Sequence, residues 1–211
     1  MNSIDYWRQQ WNSVGDYSKA VNYPSARVAT NFPKDEVNED APCPLSDSFL
    51  QKAQSIWFPS APMDVVGLLT IEQTPKLKDN ETWDDKGGVT KTNVVNNHFT
   101  KPIDVYINGK NVRNSQRRLY HTLGHELVHV SQYKHFIDND LLAKGYGKEG
   151  TSENNILEYH AYLYQHHLGG PDGGFTIADA IYLHDYDPEM FHALNWINFK
   201  WAGSCTFKII K

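Results

Sequence analysis

His125-Glu126-Leu127-Val128-His129 sets two imidazoles four residues apart, with a carboxylate directly after the first. Residues four apart on a helix share a face one turn from each other, so both rings can reach a single metal ion. Glu126 then falls beside that ion, where a general base for an activated water belongs. The flanks read as one long helix. Asn114 is a good N-cap, no proline occurs from Ser115 to about Phe136, and Leu119, Leu123, Leu127 and Val130 recur at core-facing spacing. His125, Glu126 and His129 lie off that apolar stripe. The competing reading is a helix with two half-buried histidines bonded to neighbours, but three polar groups at ligand spacing are harder to explain as packing.

Upstream, Met1 to Pro44 is rich in Asn, Asp, Ser and Pro, which predicts an irregular wrapping segment of about 1–45 with a short helix near Tyr6 to Trp11. Its aromatics, Tyr6, Trp7, Trp11, Tyr17, Tyr23 and Phe32, would anchor it on the domain surface. Asp47 to Phe58 places Phe49, Leu50, Ala53, Ile56 and Trp57 on one side of a helix stopped by Pro59. Strands are expected at Met63 to Ile71, Val89 to Val95 and Ile103 to Ile107, the last followed by an Asn108-Gly109 tight-turn signal. Downstream the pattern is helical. A polar connection, Asp138 to Gly150, leads to a helix capped by Thr151 and stopped by Gly169-Gly170-Pro171. A third helical stretch runs from Thr176 to about His184, with Asp179 as its capping-box partner, and a fourth from Asp187-Pro188 through Trp201 to Gly203. The fold class is α+β, with a small mixed sheet and a helix before the motif helix and mainly helix after it.

A chain of 211 residues makes one domain with room for a core and a cleft, and 40% hydrophobic with 13% aromatic residues is globular. A net charge of -5 without a Lys/Arg block argues against nucleic acid, an anionic membrane or a polyanionic substrate as the main partner. No apolar run approaches the roughly 20 residues of a membrane span, and the first residues lack a signal-peptide core. The expectation is a soluble chain, either without its own export signal or cut from a longer exported protein. Cys43 and Cys205 have no metal-ligand spacing and read as free thiols or one disulfide.

A catalytic zinc site has three protein ligands and an open position, so His125 and His129 need one partner. His135 sits two turns further along the same helix with no turn to bring it back. Glu158, on the next helix beside small Ala161, is the favoured third ligand because a carboxylate from a second packed helix can close the site from the side. Glu153 and His160 stay open as alternatives, since the apolar stripe of that helix is ambiguous.

With these residues in place, Leu123-Gly124-His125-Glu126-Leu127-Val128-His129 resembles the zincin metallopeptidases, and Glu158 makes the chain similar to the gluzincin branch. The layout also resembles zincin-like domains at the C-termini of bacterial exported toxin-like proteins. The resemblance covers mainly residues 115 to 165. It implies a strand-and-helix upper half, an active-site helix, a mainly helical lower half, a Zn²⁺ cofactor and a protein or peptide substrate. The chain departs from the commonest gluzincin pattern at Tyr162, where an acidic residue often follows the third ligand by four. The implied chemistry is peptide-bond hydrolysis, with Glu126 taking a proton from water and passing it to the leaving amine while the metal polarises the carbonyl. Tyr162, Tyr182, His184 and Tyr186 are candidate oxyanion donors. The substrate would add as a strand along a sheet edge, for which Ile103 to Ile107 is the candidate. Two other readings stand beside this one: a non-catalytic interaction domain with structural zinc, and a latent hydrolase in which Cys43 plugs the metal site.

Overall fold

The computed structural model describes residues 41–72, 86–113, 115–203 and 207–211. The expected features at residues 1–40 and at Cys205 lie outside the described residues. Among those residues the fold is α+β, with six helices and a three-stranded mixed sheet.

Helix α1 (Asp47–Trp57) begins where the Ser46 hydroxyl accepts a hydrogen bond from the Phe49 N–H. Its apolar face, Phe49, Leu50, Ala53 and Trp57, is buried. A 3-10 turn at Met63–Val65 replaces the expected start of the first strand, and β1 (Val66–Glu72) follows. Strands β2 (Gly88–Val95) and β3 (His98–Asn108) form a hairpin through Asn96 and Asn97, whose φ angles are 50° and 63°. Two successive left-handed residues twist the chain as the flanking strands require, and Asn tolerates that region better than most side chains.

Two expectations fail here for physical reasons. Ile103 to Ile107 is not a sheet edge: the strand order is β1-β3-β2, with β3 parallel to β1 and antiparallel to β2. Ile103, Val105 and Ile107 are fully buried, as suits a central strand, whereas Gly88–Val95 is rich in Thr, Lys and Asn and occupies the edge. The long β3 absorbs Pro102 because neither ladder pairs it: the β1 ladder begins at Ile103, and the β2 register shifts between Thr92 and Asn93, passing from Ile103 to Thr100. Nor does Asn108-Gly109 make the expected tight turn. The Asn108 side chain accepts from the Lys110 N–H and caps a short helix, α2 (Gly109–Val112).

Helix α3 (Gln116–Asp138) takes its cap one residue later than the expected Asn114, from Ser115, whose hydroxyl accepts from the Arg118 N–H. It is buried on both faces: Leu119, Leu123, Leu127 and Val130 point into the core, and the two histidines and Glu126 are also buried. The Gln116 side chain exchanges two hydrogen bonds with the backbone of Ile210, pinning the chain end to the start of α3. Trp57, Phe58 and Phe207 pack around Tyr120, with ring centroids 5.2–5.5 Å from it. Such pairs add about 0.5–1.5 kcal/mol each beyond the area they bury.

Helix α4 (Ser152–His167) is capped by Thr151 and lies against α3. Ala161 is fully buried, and a Cβ on Gly124 would run into Leu168 and Phe58, so small residues let the helices approach. Helix α5 (Ile177–Tyr186) carries the Thr176/Asp179 capping box. The expected fourth helix is shorter: α6 (Pro188–Ala193) stops at Leu194, because the Asn195 side chain captures the Ile197 N–H and starts a separate 3-10 turn, Trp196–Asn198.

Two buried imidazoles make the fold acid-sensitive. Burial holds His160 down at about 3, despite its bond to the Phe191 carbonyl, and burial with the nearby Arg117 holds His121 at about 4. Both folded values lie below the unfolded value of about 6.5, so the unfolded chain takes up protons first as pH falls. Their contribution is intact above that pH and is lost below it, by up to about 1.4 kcal/mol per pH unit for each ring. The thermal midpoint of the metal-free chain should therefore drop between about pH 6.5 and 5. A flat profile there would contradict it.

Candidate metal centre

The period of α3 brings His125 and His129 onto its cleft face, and α4 lays Glu158 across them. His125 Nε2 lies 3.1 Å from His129 Nε2 and 3.4 Å from Glu158 Oε2, while His129 Nε2 lies 3.5 Å from Glu158 Oε1. Among the described residues this is the one His/Cys/Asp/Glu group compact enough to hold a metal ion. The electrostatics favour a cation between the three side chains. Burial pushes His129 down, but Glu158, then Glu126 and the bond to Gln132, outweigh it and raise the ring to about 9. The same pairing, working against burial, holds Glu158 well below the usual carboxylate range.

Glu126 is buried on the sheet side of this group, and the Thr90 hydroxyl of β2 donates to its carboxylate at 2.7 Å. Burial raises its pKa against the opposing effects of His125, His129 and Thr90, with Glu158 adding to the rise. Gly88 makes the room: a Cβ there would come 2.8 Å from the Glu126 side chain. All four residues open into one cleft of about 1220 Å³, walled by β2, the start of α4 and the connection before it.

The other candidates lie elsewhere. Glu153 accepts a hydrogen bond from the Tyr186 hydroxyl at 2.8 Å, and His160 spends Nε2 on the Phe191 carbonyl at 2.8 Å. His135 sits in the last turn of α3 beside Asn139. Of the four oxyanion candidates only Tyr162 lines the cleft, its ring edge-on to His125 with centroids 4.6 Å apart. Tyr182 meets Ser152, Tyr186 meets Glu153 and His184 meets Asp185. Cys43 is a free thiol buried in the core and does not line the cleft, and burial pushes it up to about 12. A neutral thiol in that position is no plug for the centre, so the latent reading through Cys43 is withdrawn.

Three residues beside the centre escaped the sequence reading. Thr90 has no signal short of knowing that β2 crosses α3. Tyr133, one turn beyond His129 and buried in the cleft wall, and Gln132, bonded to His129 Nδ1 at 2.8 Å, could have been found from i+3 and i+4 spacing.

No protein-family model matches the chain, and neither curated proteins nor solved structures give a match. No helix of the described residues is long and apolar enough to cross a membrane.

Proposed function

We propose that the cleft is the active site of a zinc-dependent peptidase in which His125, His129 and Glu158 hold the ion and Glu126 is the general base. The observation that carries this is the cluster of three ligand-type side chains. Ligands about 2.0–2.2 Å from a tetrahedral zinc stand about 3.3–3.6 Å apart. The two imidazole Nε2 atoms here are 3.1 Å apart, and each faces one oxygen of the Glu158 carboxylate, His125 facing Oε2 at 3.4 Å and His129 facing Oε1 at 3.5 Å. Two imidazole nitrogens with one carboxylate oxygen form a donor set suited to zinc and leave a fourth position for substrate or water. When bound, zinc supplies Lewis acidity, which makes hydroxide accessible near neutral pH and polarises a carbonyl.

The protein's own residues divide the remaining work. Glu126, raised by burial and oriented by Thr90, accepts a proton from water and returns it to the leaving amine. Tyr162 is the nearest candidate to donate to a developing oxyanion. The substrate lies along β2, whose outer edge pairs with no strand among the described residues and which lines the cleft from Gly88 to Thr92. An extended peptide can add there through backbone hydrogen bonds, the role that the sequence suggested for Ile103 to Ile107.

A chelated chain should cleave no member of a diverse peptide library, and one equivalent of zinc should restore turnover. Full turnover without metal, or none in the zinc-loaded chain, would rule out this function.

A further inference from the structure

Gln132 is fully buried, three residues beyond His129 on α3. Its Nε2 donates to the Leu157 carbonyl at 3.1 Å and faces the Leu194 carbonyl at 3.5 Å. Both partners are pure acceptors, so the amide nitrogen must face them; the flipped amide would set its oxygen against two carbonyls. The amide oxygen therefore faces His129, 2.8 Å from Nδ1. An acceptor there requires a proton on Nδ1, and a neutral imidazole has only one N–H to give. In that neutral ring the lone pair is left on Nε2, the nitrogen that lies beside Glu158 Oε1 and His125 Nε2.

We infer that Gln132 is a positioning residue that fixes His129 in its Nε2-ligating tautomer and holds the two ligand-bearing helices in register; this rests on reading the group as a metal site. Leu157 immediately precedes Glu158, and Leu194 closes α6, so one amide ties the ring of one ligand to the backbone beside another. His125 has no such support among the described residues, where its buried Nδ1 finds no hydrogen-bond partner. The two imidazoles are thus unequal. In its neutral form His129 presents Nε2 to a cation, and His125 joins it without an outer anchor among the described residues.

The test uses the full chain with Gln132→Leu and Gln132→Glu, reading the zinc Kd by competition with a chromophoric chelator and thermal stability beside it. Loss of an outer hydrogen-bond partner typically weakens metal binding by about 10- to 100-fold, and Gln132→Leu should fall in that range. Gln132→Glu keeps an acceptor for Nδ1 but loses the donor to the two carbonyls. It should keep most of the zinc affinity while losing stability. If Gln132 served packing alone, zinc affinity would follow stability in both variants, so equal loss in both, or a wild-type Kd in Gln132→Leu, overturns the inference. Nitrogen NMR of the metal-free wild type at pH 10 gives a readout independent of folding in the variants. A single Nδ1–H tautomer at His129 is expected there, and an Nε2–H tautomer refutes the assignment. A wild type that takes up no zinc sinks the metal reading itself, whereas the tautomer measurement still decides the role of Gln132.

Discussion

Glu126→Gln should retain one zinc ion per chain and lose peptide hydrolysis by at least about 100-fold, within the range that general acid–base groups contribute. The variant is nearly isosteric, so the cleft keeps its shape and the Thr90 hydroxyl keeps an acceptor. The chemistry does not survive, because a carboxamide has no lone pair basic enough to take a proton from water near neutral pH. Glu126 is not one of the three clustered donors, so metal content should be unaffected. The combination decides between the two surviving classes of function. A structural zinc in an interaction domain gives Glu126 no task, and hydrolysis unchanged in Glu126→Gln would remove the proposed mechanism. Lost zinc would instead place Glu126 among the ligands.

His129→Ala and Glu158→Ala should each lose stoichiometric zinc on gel filtration, measured by elemental analysis, whereas Glu153→Ala should keep it. Removing a direct donor leaves two, and the loss should exceed the roughly 10- to 100-fold that an outer partner commands. His129→Ala also strands the Gln132 amide oxygen in a fully buried position, at a cost of about 1–3 kcal/mol. That variant is therefore expected to be less stable as well as metal-poor. Glu158 is only partly buried, so Glu158→Ala tests the third donor with less damage to the core. Glu153, which serves the Tyr186 hydroxyl, is the control on the same helix. Zinc retained by Glu158→Ala would send the search for the third ligand elsewhere.

Much of the centre was legible in the chain because its densest part is local. His125, Glu126 and His129 occupy a single helix, where a spacing of four returns side chains to the same face whatever surrounds them. Glu158 was legible only as one carboxylate among alternatives. Helix α4 is buried around Ile156, Leu157, Tyr159, His160, Ala161 and Tyr164, and a helix covered on several sides shows no clean stripe from which to read an inner face. The edge expectation for Ile103 to Ile107 failed in a similar way, although all three expected strands form. Ile103 to Ile107 has the composition of a buried strand, but whether it lies at an edge or in the centre depends on two partners, of which β1 starts 37 residues away in register.

The sequence by itself determined the helix of the motif, the pairing of two imidazoles with an adjacent carboxylate, the α+β order of elements and the caps at Thr151, Thr176 and Asp187. Each of these rests on interactions within a few residues, where backbone geometry dictates what can meet. Only the tertiary structure decided that Glu158 and not Glu153 or His160 joins the histidines, that β2 is the edge beside Glu126, that Cys43 lies in the core, and that Gln132 anchors His129. Those choices depend on which faces of separate helices and strands are buried against each other, and burial of apolar surface is non-directional, so the pattern along one element does not state which neighbour will cover it.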